Sequence, residues 1–374
     1  MRKTWAVALK EIRQAMRDPL SLTMLLGVPT FMLLLYGYAL NFDVRHVALA
    51  VQDLDRSAAS RRLVASFVNS TYFDQTATPA AGEDLERYLQ SGLAKAILVI
   101  PADFSAEVAR GDRAQVQLIL DGSDANTATT VLGYASALVA DANVTMLESS
   151  LRAANLGAPP VIDYQPRVWY NPELRSTHFL VPGLIGFILM LTAVLSTALS
   201  VVREKERGTM EQLRVAPLRP AQLIVGKSLP FLIISLMATV MILVAARLLF
   251  GVVIMGPHLH LFFATLLYLI GALGFGLLIS TLANTQAWAF QVGITTSMLP
   301  ALLLSGFIFP IAGMPRVLQW ITYAVPARYY LVVLRGIILK GAGLAPFGTQ
   351  MMFLGIYAII VLTIASVRLS RREA

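Results

Sequence analysis

The chain is 374 residues long, 56% hydrophobic and only 14% charged, and its apolar residues fall in long runs. A soluble domain carries about a quarter charged residues, so this distribution marks an integral membrane protein. There is no cysteine, which excludes disulfides, thiolate metal sites and cysteine nucleophiles, and the net charge of +8 is unevenly spread.

Residues 1–18 place Trp5, Leu9, Ile12 and Met16 at helical spacing among Arg2, Lys3, Lys10, Arg13 and Arg17. The pattern predicts an amphipathic helix at a membrane interface, ended by Asp18-Pro19. The plainer alternative is a basic leader that only sets topology. A first transmembrane helix follows in residues 19–42, with its apolar run at 22–40. That run exceeds the ~7–15 residues of a signal-peptide core. It is therefore read as a retained span rather than as a leader cleaved after Gly37-Tyr38-Ala39.

Residues 43–175 hold 11 Lys and Arg against 16 Asp and Glu, a net −5, and the remainder of the chain carries +13. Strands are predicted at 46–51, 94–100, 116–120 and 161–170. Helices are predicted at 57–69, with a serine cap, and at 83–90, 104–110 and 127–153. The alternation indicates a mixed α/β domain inserted into a basic membrane domain.

Residues 176–374 contain five further apolar runs, at 179–202, 229–246, 261–283, 287–311 and 347–367. Basic flanks stay in the cytoplasm. The leader, the 203–227 loop (Arg203, Lys205, Arg207, Arg214, Arg219, Lys227) and the tail (Arg368, Arg371, Arg372) fall on one side of a six-span topology. Both termini are then cytoplasmic and 43–175 lies outside. Four basic residues at 314–340 run against the rule. The 306–343 segment is rich in Pro and Gly and too polar to span, which suggests a re-entrant element on the outer side, buried in protein or facing water. The expected fold is a polytopic α-helical membrane protein with six transmembrane helices and an inserted mixed α/β extracytoplasmic domain.

Gly226-Lys227-Ser228 echoes a phosphate loop, but that loop needs a glycine at position 221, where this chain has Ala. Lys227 is instead expected to snorkel at the inner interface. His258-x-His260 lacks a third metal ligand and fits interfacial anchoring. The spans hold almost no ionisable side chain, which argues against ion-driven transport. Thr192 and Ser196 in span two, with Gln291, Thr295 and Ser305 in span five, are candidates for a substrate pathway. The alternative is that they serve helix packing alone.

Three stretches carry a resemblance. They are Asn171-Pro172-Glu173 with Phe179-Leu180-Val181-Pro182-Gly183 at the start of span two; Arg203 through Leu213 (REKERGTMEQL) followed by Ala216-Pro217; and a late segment with Ser305-Gly306, Pro310, Met314-Pro315, Pro326-Ala327-Arg328-Tyr329-Tyr330 and Arg335-Gly336. Together they resemble the permease subunit of type-2 ATP-binding-cassette (ABC) exporters over nearly the whole chain, in the bacterial multidrug branch with an outer domain. The resemblance implies a non-catalytic permease that binds no cofactor, with ATP and Mg held by a cytoplasmic ABC ATPase partner. It also implies a second permease protomer, identical or related, in a bacterial inner membrane. A periplasmic adaptor for the outer domain fits the same scheme, and no nucleic-acid partner is expected. A coupling helix would occupy 203–214, with Glu204, Glu206, Arg207, Gly208, Thr209, Glu211 and Leu213 docking on the ATPase. Pro310, Pro315, Pro326 and Tyr329 would belong to an outer gate. The expected cargo is amphipathic or drug-like. Alternatives are lipid, polysaccharide or peptide export, or, in another class, a membrane-anchored receptor with a ligand-binding outer domain.

Overall fold

The computed structural model describes residues 2–17, 19–39, 44–153, 169–171, 175–208 and 220–371. The chain divides into two compact units, Phe42–Pro166 and Met1–Asn41 with Arg167–Ala374.

The first unit is a four-stranded sheet with helices. Its elements are β1 (Val47–Asp53), α3 (Ala58–Val68), β2 (Phe73–Ala77), α4 (Glu86–Gln90), β3 (Ala96–Ile100), α5 (Phe104–Arg110), β4 (Gln117–Leu120) and α6 (Ala125–Ala153); α1 and α2 precede it in the chain. The strand order is β2-β1-β3-β4, with β1 parallel to both neighbours and β4 antiparallel to β3. β1 and β3 read as continuous apolar runs because they are central strands covered by helices. Leu49, Val51, Leu98 and Ile100 pack with Leu63, Phe67, Phe104 and Val131. Ser57 caps α3, its hydroxyl accepting from the amides of Ala59 and Ser60 at 3.1 and 3.0 Å. β2 was not expected. It is an edge strand with only Phe73 buried, so its sequence shows little of the pattern of a half-buried strand. The strand expected at 161–170 lies mostly outside the described residues.

The second unit is a helical bundle. Its elements are α1 (Arg2–Arg17), α2 (Pro19–Ala39), α7 (Ser176–Glu206), α8 (Pro220–Phe250), α9 (His258–Leu282), α10 (Gln286–Gly293), a π turn (Ile294–Met298), α11 (Leu299–Leu303), α12 (Arg316–Thr322), α13 (Pro326–Lys340) and α14 (Gly348–Arg371). Among the described residues five helices are long and apolar enough to cross a membrane, or six if the bent pair α12–α13 is one span. This set differs from the six expected spans at four places. Leu25–Ala39 counts as a shorter apolar helix. The run expected at 287–311 stops being helical after Leu303 and is interrupted by the π turn. Thr127–Glu148 of α6 also passes on length and composition, yet its Val131, Ala135 and Ala142 are buried in the core of the α/β unit. α12 and α13 meet at 78°.

α7 is the centre of the bundle. Residues 180–191 are buried without interruption, as expected of a helix apolar on every side. Polar groups at this depth are satisfied by neighbours. The Tyr268 hydroxyl donates to the Gly186 carbonyl at 2.9 Å, and Thr265 and Tyr330 share a 2.9 Å hydrogen bond. The Tyr268 and Tyr330 rings stack at 4.0 Å.

Candidate functional site

The charged stretch after span two begins inside α7, which runs on to Glu206 before it stops. The stop is a glycine at φ +70°, Gly208, whose amide donates to the Lys205 carbonyl at 3.1 Å. A residue without a Cβ takes this left-handed turn at no steric cost. Arg203 to Glu206 are thus the last turn of a rigid helix of about 46 Å. They do not begin a separate short helix.

Each of these four side chains is committed to another element. Glu204 faces inward, with a side chain 6% exposed, and its two carboxylate oxygens are divided between two lysines. Lys10 of α1 donates to Oε1 at 2.5 Å, and Lys227 of α8 donates to Oε2. Glu11 closes the ring, its Oε1 lying 3.4 Å from Lys227 Nζ and 3.5 Å from Lys10 Nζ, while Oε2 accepts from the Ser200 hydroxyl at 3.5 Å. Two cations and two carboxylates balance, which is the condition for burying charge. Burial alone pulls the Lys10 ammonium down. The hydrogen bond and charge of Glu204, with Glu11 behind it, outweigh that, so its pKa stands above the ordinary lysine value.

The other side chains hold the turn between α9 and α10. Lys205 donates to the Ser280 carbonyl and, at 3.1 Å, to that of Ala283, where α9 ends and its carbonyls lack partners. Glu206 accepts from the Gln286 amide at 2.7 Å and from its side chain, at the start of α10 where free N–H groups favour a carboxylate. Arg203 donates to the Gln286 side-chain oxygen at 3.3 Å. Glu206, Arg207 and Gly208 are the exposed residues at this end among those described. Thr209, Glu211 and Leu213 lie outside the described residues.

One expectation is corrected here. Lys227 does not snorkel to an interface: its side chain is 2% exposed and lies inside the ion cluster. The face that α1 turns to the bundle lies apart from the Trp5–Met16 stripe. Val7, Ala8 and Glu11 are buried, while Trp5 and Met16 are exposed at 58% and 71%. Val7, Ala8 and Glu11, at i, i+1 and i+4, were the available signal, and the face reads as polar unless Glu11 has buried counter-charges.

At the opposite end of α7, Arg335 of α13 spreads its guanidinium over three main-chain carbonyls. They are Gly306 at 3.0 Å, Phe307 at 3.2 Å and Phe179 at 3.3 Å, with the Phe179 ring 3.8 Å below. This staple joins the start of α7 to the segment after α11, and nothing in the sequence singled out Arg335 for the role. Pro310 and Pro315 are exposed, preceding the 3-10 turn Ile311–Gly313 and α12. Pro326 opens α13 and is buried, as is Tyr329, whose hydroxyl donates to the Tyr323 carbonyl at 2.9 Å and whose ring stacks on Phe353.

The candidate pathway residues divide. Thr192 and Ser196 are half-buried on α7 and Ser305 is buried; their hydroxyls return to the carbonyls of Ile188, Ala193 and Ala301. Gln291 and Thr295 are exposed, on α10 and the π turn. Among the described residues no group of three His, Asp or Glu side chains could hold a metal ion.

Residues 20–367 match the family described as ABC-2 family transporter protein. The chain is 33% identical over 374 residues to the protein named probable multidrug ABC transporter permease YbhS of Escherichia coli K12, covering 99% of this chain and 97% of that one. It is 31% identical over 342 residues to the probable multidrug ABC transporter permease YbhR of the same organism, covering 91% of each. The inner membrane transport permease YhhJ, also of Escherichia coli K12, is 25% identical over 349 residues, with 92% of this chain and 90% of that one covered.

Proposed function

The chain belongs to the ABC-2 family of transporter permeases, and from that premise we propose that it forms the membrane path of an ATP-driven exporter of amphipathic, drug-like compounds. It is a multi-pass, non-catalytic membrane subunit, and membership of the family implies an ABC ATPase as partner. The receptor reading of the sequence is set aside by that membership.

The observation that carries the mechanism is the continuity of α7. One unbroken helix is tied to the segment after α11 at Phe179 and to four other elements at Arg203–Glu206. A displacement at its charged end therefore travels to the other end as a rigid-body movement. We place the charged end in the cytoplasm, with both termini, on the basic flanks of the leader, the 203–227 loop and the tail. The α/β unit is then periplasmic and the membrane is the bacterial inner membrane, as the name of one relative suggests. Arg207, Gly208 and the residues after them dock on the ATPase, whereas Glu204 acts from within, by holding the helix end. The bent α12–α13 pair with Pro310, Pro315, Pro326 and Tyr329 serves as an outer gate. Thr192, Ser196, Gln291, Thr295 and Ser305 flank the route between two protomers. ATP drives the cycle only through its different affinity for the two permease states.

Multidrug cargo rests on the names of the two relatives at 31–33% identity. The test is co-purification of the chain with an ABC ATPase, followed by reconstitution in proteoliposomes. ATPase activity stimulated by an amphipathic dye, with ATP-dependent dye movement, supports the reading. Stimulation by a lipid, polysaccharide or peptide alone reassigns the cargo. Absence of any co-purifying ATPase contradicts the mechanism.

A further inference from the structure

We propose that two copies of this chain meet along the exposed face of α6, as a parallel two-helix seam between their α/β units; this rests on the two-protomer reading above. α6 is about 43 Å long and is apolar on two sides. Val131, Ala135, Leu138, Ala142 and Met146 pack into the core of the unit. On the other side Gly133, Ala137, Ala140, Val144 and Leu147 are all exposed. They follow one another at steps of 4, 3, 4 and 3 residues, the alternation of a coiled-coil seam. Leu147 is 50% exposed and Val144 39%, with Leu132 beside them at 53%, and the space in front of Gly133 is open. This second stripe is why α6 passes on composition for a membrane span while only one of its faces is covered. A contiguous exposed apolar face marks a contact surface.

The charges along the seam select its occupant. α6 carries no Lys or Arg before Arg152. Asp141 and Glu148 flank the seam on one edge, and Ser136 and Asn143 flank it on the other. In an antiparallel pair like edges face each other, so acids would meet acids. In a parallel pair each edge faces the opposite edge of the other helix, offset by roughly five residues. Ser136 then lies opposite Asp141 of the second copy, and Asn143 opposite Glu148 of the second copy. Each carboxylate meets a neutral hydrogen-bonding side chain, and no like charges meet. Gly133, Ala137 and Ala140 bury little apolar area, so the seam is weak by itself. A second copy in the same membrane assembly needs no more than that. Each α/β unit is tied to its membrane unit at both ends, which raises its effective concentration to the order of millimolar. A freely diffusing partner has no such help.

The chain has no native cysteine, so single thiols can be placed along α6 in the full chain. Ala137→Cys, Ala140→Cys and Val144→Cys lie on the seam, and Thr145→Cys is exposed but off it. Two differently tagged copies of each variant are expressed together in membranes and oxidised with copper phenanthroline. A parallel seam predicts a disulfide-linked pair of permease chains from each seam variant and none from Thr145→Cys. Ala140→Glu added to Ala137→Cys should abolish the adduct, because two carboxylates would then meet across the seam. All these positions are exposed, so the tagged copies should still co-purify in every variant. Copies that co-purify while no seam cysteine forms the adduct overturn the seam and leave the two-protomer reading standing. Equal adduct from Thr145→Cys, or an adduct that forms only with another protein, overturns it as well. If the tagged copies do not co-purify, the two-protomer reading itself fails and the seam falls with it.

Discussion

Glu204 and Lys227 are 23 residues apart in sequence and meet as an ion pair with side chains 6% and 2% exposed. The pair lies at the last turn of α7, beside the loop proposed to meet the ATPase, so removing one member tests a folding role apart from the proposed coupling role.

Lys227→Met leaves Glu204 and Glu11 buried with Lys10 as their one remaining cation in the ring. Loss of one partner from a buried pair costs about 3–5 kcal/mol. A lower thermal midpoint of the detergent-solubilised protein is expected. Glu204→Gln with Lys227→Met should lose less than the two single changes added together, with a coupling of about 0.5–3 kcal/mol in the double-mutant cycle. Additive losses would mean that the two side chains do not interact.

Gly226→Ala places a methyl against Val7 and the Thr4 carbonyl, where the nearest atoms are 2.8–3.1 Å away. Overpacking of this kind costs about 1–3 kcal/mol. The strain falls on the α1–α8 contact. Amine-reactive labelling of Lys10 should therefore increase, whereas Gly355→Ala, with open space around it, should leave that labelling unchanged.

Arg335→Met removes donors from the carbonyls of Gly306, Phe307 and Phe179. These contacts are part-buried or exposed, so each is worth about 0.5–1.5 kcal/mol, and the segment after α11 should loosen from the start of α7. Arg335→Lys should recover only part of the loss, because a compact ammonium cannot reproduce the planar fork. Protease sensitivity of the 304–315 segment measures this, and equal behaviour of the Met and Lys variants would contradict the staple.

Asp121 stabilises the α/β unit in a pH-dependent way. The hydrogen bond from Lys95 comes first and that from Ser123 second, and together they hold its carboxyl well below the usual carboxylate range. A depressed folded pKa means that the contribution is complete above the unfolded value of about 4 and is lost as pH falls below it. Amide hydrogen exchange along β3 and β4 should speed up below that pH in the native chain. In Asp121→Asn it should already be faster at neutral pH and change less on acidification.

The apolar runs made four spans legible, because length and hydropathy alone decide whether a helix crosses a bilayer. The strands β1, β3 and β4 and the helices α3 and α5 were legible for the same kind of local reason, since Ser57, Pro101 and Gly111 mark their edges. Edge strand β2 was not, because only Phe73 of its five residues is buried. The ion cluster was hidden for a different reason. Glu11, Glu204 and Lys227 each sit in a stretch that reads as a charged membrane interface, and only the packing of α1 against α8 and α7 turns them toward one another. Arg335 was hidden likewise, as its partners are main-chain carbonyls that carry no sequence signature. The seat of the proposed coupling was readable as a segment, but the inward aim of Glu204 was not.

ATP hydrolysis is proposed to enter this chain at the end of α7, where Arg207 is exposed and Glu204 is locked inside. The most direct measurement is cross-linking from Arg207→Cys, the single cysteine of the chain, in the assembled complex. A covalent adduct with the ABC ATPase is expected, with a yield that changes on trapping with ATP and vanadate. A complex that hydrolyses ATP while this cysteine forms no adduct, and reacts with a soluble thiol reagent equally with and without the ATPase, would contradict it.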